Sequence, residues 1–221
     1  MTTVEELALR IDRLEAAQAC QNLMSKYEYL HSAYLNARIV ELFAERDDIE
    51  CNMPFGRWVG PDAARRCFGV MFEKELTARD RSGELVEHHL TTPIIEVAGD
   101  GRTAKGTWWS PGHEAHTFFW EEGSPRIAFW YYCRYEVDFI KTDQGWKFWH
   151  LNVHQTWASE VNSSVVNSVP PPEPPTPKGW GAPDEELQSL TTYKADRAPQ
   201  LIPAPPEPYS TYTAEKAVTG S

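Results

Sequence analysis

Three groups of residues in this chain carry side chains able to hold or move protons near neutrality. Tyr27, His31 and Tyr34 stand four and three residues apart, so on a helix their side chains share one face. Cys20 and Met24 continue that stripe, which marks it as the buried face. Each polar ring tip then needs a partner, and an unmet one costs about 1–3 kcal/mol. A pocket holding water or a ligand would supply such partners; aromatic packing with satisfied tips is the alternative. Imidazole titrates near neutrality, so His31 suits proton transfer in either direction. The second group is Glu87-His88-His89. On a strand, adjacent side chains face opposite sides, so only one of the two imidazoles enters a pocket unless a bulge intervenes.

The third group, His113-Glu114-Ala115-His116, lacks the helical HExxH spacing of a zinc site, and Pro111-Gly112 opposes a helix there. His150 and His154, on a strand, would stand about 13 Å apart. No metal site is expected from either. There is no Gly-rich phosphate loop, GxSxG elbow or Cys/His nucleophile pattern, so no cofactor is expected either. The cysteines at 20, 51, 67 and 133 show no paired or finger spacing and read as reduced core residues.

The elements that position these groups follow from periodicity. Val4, Leu7, Ile11, Leu14, Ala17 and Met24 recur at three- and four-residue steps and predict one long helix reaching about Tyr34. A short helix is expected over 37–44, a strand over 49–55, and a third helix from Gly60-Pro61-Asp62 to about Leu76. From Leu85 the period becomes two, giving strands over 85–98, 102–120, 126–141 and 145–158. Gly99-Asp100-Gly101 joins the first pair and Thr142-Asp143-Gln144-Gly145 the last. Helices first and strands after define an α+β domain. One curved antiparallel sheet with three N-terminal helices on its concave face is the expected arrangement.

Strand parity then assigns the walls. Between Ile127 and Phe139 the odd residues are apolar or aromatic, which turns Tyr131 and Tyr135 toward the helices. Placing Lys147 outside turns Trp146, Phe148, His150 and Asn152 inward, and placing Lys105 outside does the same for Ala104, Gly106 and Trp108. The two small residues would leave room for a ligand.

Composition narrows the partners. The chain has 221 residues and a formal net charge of −11, which argues against nucleic acid, because phosphate neutralisation needs clustered basic residues. No apolar run is long enough to span a bilayer, and residues 1–15 lack the uninterrupted apolar core of a secretory signal, so a cytoplasmic location is expected. Aromatic residues make up 12% of the chain and suit a pocket lined by flat rings. Twelve of the 17 prolines fall between Pro170 and Pro208, where helix and sheet are both disfavoured. The chain therefore divides into a domain over 1–158 and an extended tail over 159–221. Trp180, Leu187, Leu190, Tyr193 and Tyr209 equip that tail to wrap its own domain or a neighbouring subunit.

The segments KYEYLHSAYLNARIVELFA, FGRWVGPDAARRCF, HHLTTPIIEVAGDGRTAKGTW and VDFIKTDQGWKFWHLNV together resemble the nuclear transport factor 2-like superfamily, in particular its SnoaL-like branch. The resemblance spans about residues 5–158. It implies a conical half-barrel with a deep pocket between sheet and helices, in a homodimer or higher homo-oligomer, here with exchange of tails. Several catalytic relatives carry a tyrosine on the first helix and an aspartate five residues on. Tyr27 matches, but Ser32 stands in the acid's place, which passes the acid/base role to His31. The resemblance also implies an inward histidine near residue 88. Matching to HHLTTP favours His88, and a slip of one residue selects His89.

The resulting expectation is a cofactor-independent lyase acting on a bulky phenolic substrate like a lignin dimer. Removing the phenolic proton pushes charge through the ring and expels a benzylic hydroxyl, provided an acid protonates it. The quinone methide then loses a proton or formaldehyde. Tyr27 and His31 would act from the helix and His88 or His89 from the sheet. Tyr34, Trp58, Trp108, Tyr131, Tyr135, His150 and Asn152 would line the substrate. A dehydratase or isomerase of a polycyclic, steroid-like or polyketide substrate needs the same pocket without the phenol. A non-catalytic carrier of aromatic ligands needs no paired acid and base.

Overall fold

The computed structural model describes residues 2–75, 80–117, 125–171, 178–187 and 193–213. Helix α1 (Val4–Ser32) begins in a capping box, in which Thr3 accepts from the Glu6 amide and the Glu6 carboxylate accepts from the Thr3 amide. A 3-10 helix, α2 (Asn36–Leu42), and a helix of π-type hydrogen bonding, α3 (Arg65–Glu75), complete the helical layer. Leu76, the expected end of the third helix, and the expected strand end at 118–120 lie outside the described residues, as does Leu190.

The helices pack on one curved, unclosed sheet. Its strands are β1 (Glu50–Met53), β2 (Gly56–Val59), β3 (Leu85–His88), β4 (Thr91–Val97), β5 (Thr103–His116), β6 (Ile127–Thr142), β7 (Gly145–Glu160) and β8 (Glu185–Glu186). They run in the order β3-β5-β6-β7-β1-β2-β8, with β4 also on β5. The sheet is mixed rather than wholly antiparallel, since β1 lies parallel to β7. The expected strand over 85–98 is two strands on the same edge of β5. A register shift between Thr91 and Ile94, and left-handed backbone at Thr92 (φ 47°), separate them. The hairpin partner β2 was not foreseen, because Gly60-Pro61 had suggested only a helix start.

Parity holds along β6, whose odd residues Cys133, Tyr135, Val137 and Phe139 are buried beneath the helices. It fails along β7. Phe148 pairs with Phe139 but His150 pairs with Asp138, so Trp149 is an extra residue and the side chains beyond it change face, until a second shift, at Thr156, changes it back. Leu151 turns inward, and His150 and Asn152 turn outward.

The first helix also departs from the reading of one apolar stripe. Ala16, Cys20, Met24 and Tyr27 are buried against the sheet, whereas Val4, Leu7, Ile11 and Leu14 are exposed. Among the described residues no helix is long and apolar enough to cross a membrane.

Among the described residues the tail first turns back on the sheet, the Val161 amide donating to the Ala128 carbonyl, and then touches the body at two further places. Residues 178–187 bind α3 and β2: Arg66 reaches both carboxylate oxygens of Asp184 at 3.0 and 2.9 Å and the carbonyls of Trp180 and Ala182, while β8 extends the sheet from β2. Residues 193–213 run over the outer sheet face. There Arg134 donates to the Ile202 carbonyl at 2.6 Å, and the amides of Gly99 and Asp100 donate to the carbonyls of Tyr209 and Ser210.

Candidate active site

The C-terminal half of α1 lays Tyr27, Glu28 and His31 over the concave face of the sheet. Tyr27 is fully enclosed, with Phe68, Tyr135 and Phe148 edge-on to its ring and His31 stacked on it at 5.7 Å. Glu28 is 6% exposed, and its carboxyl oxygens make no well-formed hydrogen bond, the Tyr135 hydroxyl being the polar group at hand. Burial pushes its pKa up to about 7, against the pull of His88, Tyr135 and His89 toward ionisation. Helix α1 ends at Ser32 and the chain reverses through Tyr34 (φ 58°), which lets the buried Asn36 face back toward the helix. His31 Nδ1 lies 2.8 Å from Asn36 Oδ1. That acceptor places the ring proton on Nδ1 and leaves the lone pair on Nε2. Burial, reinforced by the charge of His88, lowers the His31 pKa to about 4, so this imidazole is neutral at ordinary pH.

Strand β3 supplies His88, which lies opposite Gly112 in register. The imidazole occupies the space above that glycine, where an added Cβ would stand 2.5 Å from Nδ1. His88 Nε2 meets Glu114 Oε1 at 2.9 Å, and Glu114 Oε2 lies 3.5 Å from His116 Nδ1. Burial disfavours charge on His88, but the hydrogen bond and charge of Glu114, with the charge of Glu28, outweigh it and raise the pKa. Glu114 shows the converse: burial pushes its carboxyl up, and the hydrogen bond and charge of His88 bring it below its ordinary value. The pair thus favours charge on both partners, and the His88 ring lies about 6 Å centroid to centroid from the neutral imidazole of His31. His88 Nδ1 and the hydroxyl of Ser110, also fully buried on the inward face of β5, have no protein partner. Burial keeps the phenols of Tyr27, Tyr131 and Tyr135 protonated, with the charge of Glu28 or Glu114 adding to the effect.

The expected site residues thus divide. Tyr27, His31, His88, Tyr131 and Tyr135 converge, with Tyr131 edge-on to His88 at 6.4 Å. His89 does not, because strand alternation turns it outward, where its Nδ1 sits 3.2 Å from the Pro111 carbonyl. Tyr34 lies beyond the helix end, with the Arg81 guanidinium 3.9 Å above its ring. Trp58 stands in the β1–β2 hairpin, its indole N–H donating to the Gly181 carbonyl at 3.0 Å. Trp108 faces inward, but its own ring fills the space above Gly106 that had been read as ligand room. The bulge at Trp149 carries His150 and Asn152 to the outer face. There His150 Nδ1 meets Asp138 at 2.8 Å and Asn152 meets Asn52.

Glu28 and Glu114 were missed. Glu28 stands four residues after Met24 on the buried stripe, where a charged residue is itself the signal. Glu114 shares a face with Trp108, Ser110 and Gly112 along β5, which alternation from Lys105 would have given.

The half-barrel with its helix-side and sheet-side acids and bases is the architecture of the SnoaL-like branch of the nuclear transport factor 2-like superfamily. The chain belongs to that family: the model of the SnoaL-like domain matches residues 12–152. Among solved structures it is similar to a hexachlorocyclohexane dehydrochlorinase, LinA-type3, from Novosphingobium barchaimii LL02 (20% identity, 73% of this chain and 99% of that one, TM-score 0.53). It is also similar to LinA (15% identity, 74% and 99%, TM-score 0.54). A scytalone-dehydratase-like protein from Novosphingobium aromaticivorans DSM 12444 gives 18% identity over 72% of this chain and 97% of its own, with a TM-score of 0.52. At these identities the likeness concerns the fold. A comparison with curated protein sequences gives no match.

Proposed function

We propose that the protein is a cofactor-independent lyase that eliminates water from a hydroxylated aromatic substrate, using Glu28 as base and His88 as acid. The observation that carries this reading is the set of buried polar atoms with no well-formed hydrogen bond: both Glu28 oxygens, beside the Tyr135 hydroxyl, together with His88 Nδ1 and Ser110 Oγ. Each is costly to bury unmet, and a bound hydroxylated molecule supplies what all of them lack. Their proton affinities are pushed into complementary roles, the arrangement expected of an acid/base pair. A Glu28 carboxyl near pH 7 can accept a proton at working pH. His88, kept protonated by Glu114, can deliver one through Nδ1.

In the reaction Glu28 removes a proton from the substrate, a phenolic one in the finer form of the reading. The electron pair moves through the ring and breaks the benzylic C–O bond. The departing hydroxyl takes the His88 proton and leaves as water. The proton now on Glu28 returns to His88, and the enzyme is restored. A quinone methide carrying a neighbouring hydroxymethyl group can lose formaldehyde in place of the second proton. Tyr27 and Tyr135, held as neutral phenols, act as hydrogen-bond donors to the developing oxyanion. The aromatic rings around His31 and His88 favour a flat substrate. The reactions for which the similar structures are named, a dehydration and a dehydrochlorination, are likewise eliminations.

The test incubates purified protein, without added cofactor, with guaiacyl-type diols while formaldehyde and stilbene absorbance are followed. Formaldehyde release supports the phenolic form. Water loss alone supports a dehydratase. Unchanged diol that nonetheless binds identifies a carrier and overturns the catalytic reading.

A further inference from the structure

Helix α1 presents apolar residues on two opposite faces. At 3.6 residues per turn, Val4, Leu7, Ile11 and Leu14 centre about 160° around the helix from Ala16, Cys20, Met24 and Tyr27. The second set is buried on the sheet, so the first cannot turn toward its own domain. Their exposures are 77, 46, 54 and 72%. Beyond Leu14 the outward positions become Gln18, Asn22 and Ser25, so the apolar seam is confined to the first three turns.

We propose that this seam is a homodimer interface in which the α1 helices of two copies pair side by side in parallel. Three observations select a second copy in that orientation. The spacing 4-7-11-14 is a heptad seam with Val4 and Ile11 at the a positions and Leu7 and Leu14 at d. That assignment of β-branched and leucine residues favours two parallel strands. The flanking charges agree, for Arg10 at g faces Glu15 at the partner's e position in a parallel pair. An antiparallel pair would bring the two Arg10 side chains together. Finally, residues 2–12 are exposed on every side, Leu9 opposite the seam included at 51%, and burial against the sheet begins only at Ala16, which leaves the seam unobstructed. Two heptads are marginal for free peptides. Here the helix is already ordered by its capping box and its buried C-terminal half, so association need not supply that ordering.

The experiment is sedimentation equilibrium of the full chain from 1 to 200 µM, with circular dichroism as a check on folding. Wild type should sediment as a dimer over the upper part of that range. Ile11→Glu should weaken association at least 100-fold with unchanged helix content, since residue 11 is 54% exposed on the face turned away from the sheet. Arg10→Glu should weaken it about 3- to 10-fold, and Arg10→Glu with Glu15→Arg should restore it. In Ile11→Cys the two introduced thiols face each other across a parallel seam, so diamide should cross-link the dimer; the four native cysteines are buried. Wild type that stays monomeric throughout, or an Ile11→Glu variant that dimerises as wild type does, would overturn the proposal. So would dimers of Ile11→Cys that resist cross-linking.

Discussion

Replacing Glu28 by glutamine should make the protein more stable while abolishing its chemistry. The buried carboxyl has its pKa raised from 4.5 to about 7. A group that holds its proton more tightly when folded contributes stability below its unfolded pKa, and loses it as pH rises toward its folded pKa. Between pH 4.5 and 7 the wild type therefore forfeits about 3 kcal/mol, from 1.36 kcal/mol per pH unit. Above pH 7 the loss is constant. Glutamine cannot ionise and is spared it, although its amide carries its own pH-independent cost in a site without partners. Urea denaturation of both proteins at pH 5 and pH 8 isolates the effect. The difference in unfolding free energy, variant minus wild type, should be about 2–3 kcal/mol more positive at pH 8 than at pH 5. Turnover should fall about 10²- to 10⁴-fold, the range for loss of a general base. A stability difference that does not change between the two pH values would refute the assignment of Glu28 as a buried, desolvated carboxyl. A variant that retains full turnover would refute its role as base.

The pH profile of wild-type kcat/KM should be a bell: it rises through about pH 7 as Glu28 of the free enzyme loses its proton and falls at higher pH as His88 loses its own. His88→Gln should remove the alkaline limb, and a profile that keeps it would assign that limb to another group. Gly112→Ala should lower kcat about 10²-fold, because the new methyl would lie 2.5 Å from His88 Nδ1 and 2.9 Å from the Glu87 carbonyl; unchanged turnover would show that the ring can act from elsewhere. Arg66→Ala should cost about 1–3 kcal/mol in unfolding free energy and open residues 178–187 to limited proteolysis. Continued protease resistance would mean that β8 and Trp58 hold that segment without the guanidinium.

Much of the architecture was written in local patterns. The capped helix, the Gly-Asp-Gly turn and the alternation along β6 each depend on neighbouring residues, and each is found where periodicity placed it. Features set by pairing between distant strands were not legible. The extra residue Trp149 is invisible within its own strand and emerges only against Asp138 and Phe139, so His150 and Asn152 were placed on the wrong side. Spacing alone also merged the two faces of α1, because the consecutive steps of three from Ile11 to Leu14 to Ala17 each fall about 60° short of a full turn and carry the stripe around the helix. Tyr27, His31 and His88 were accessible because rings with polar tips stand out in a buried stripe or a strand start. Glu28 escaped because a charged residue next to such a stripe is ordinarily solvated, and only desolvation gives it its character.

The parallel seating of β1 against β7 bears on how the molecule comes into being. Residues 50–52 wait for residues 150–152, so almost half the polypeptide must leave the ribosome between the two halves of that ladder. Contacts of such long sequence separation slow folding. Meanwhile α1, synthesised first, holds the Glu28 carboxylate in water. Glu28 acquires its unusual proton affinity only when the strands carrying His88 and Tyr135 close beneath it. A nascent chain that stalls before β6 would therefore carry the acid as an ordinary surface glutamate, its proton affinity still to be set by assembly.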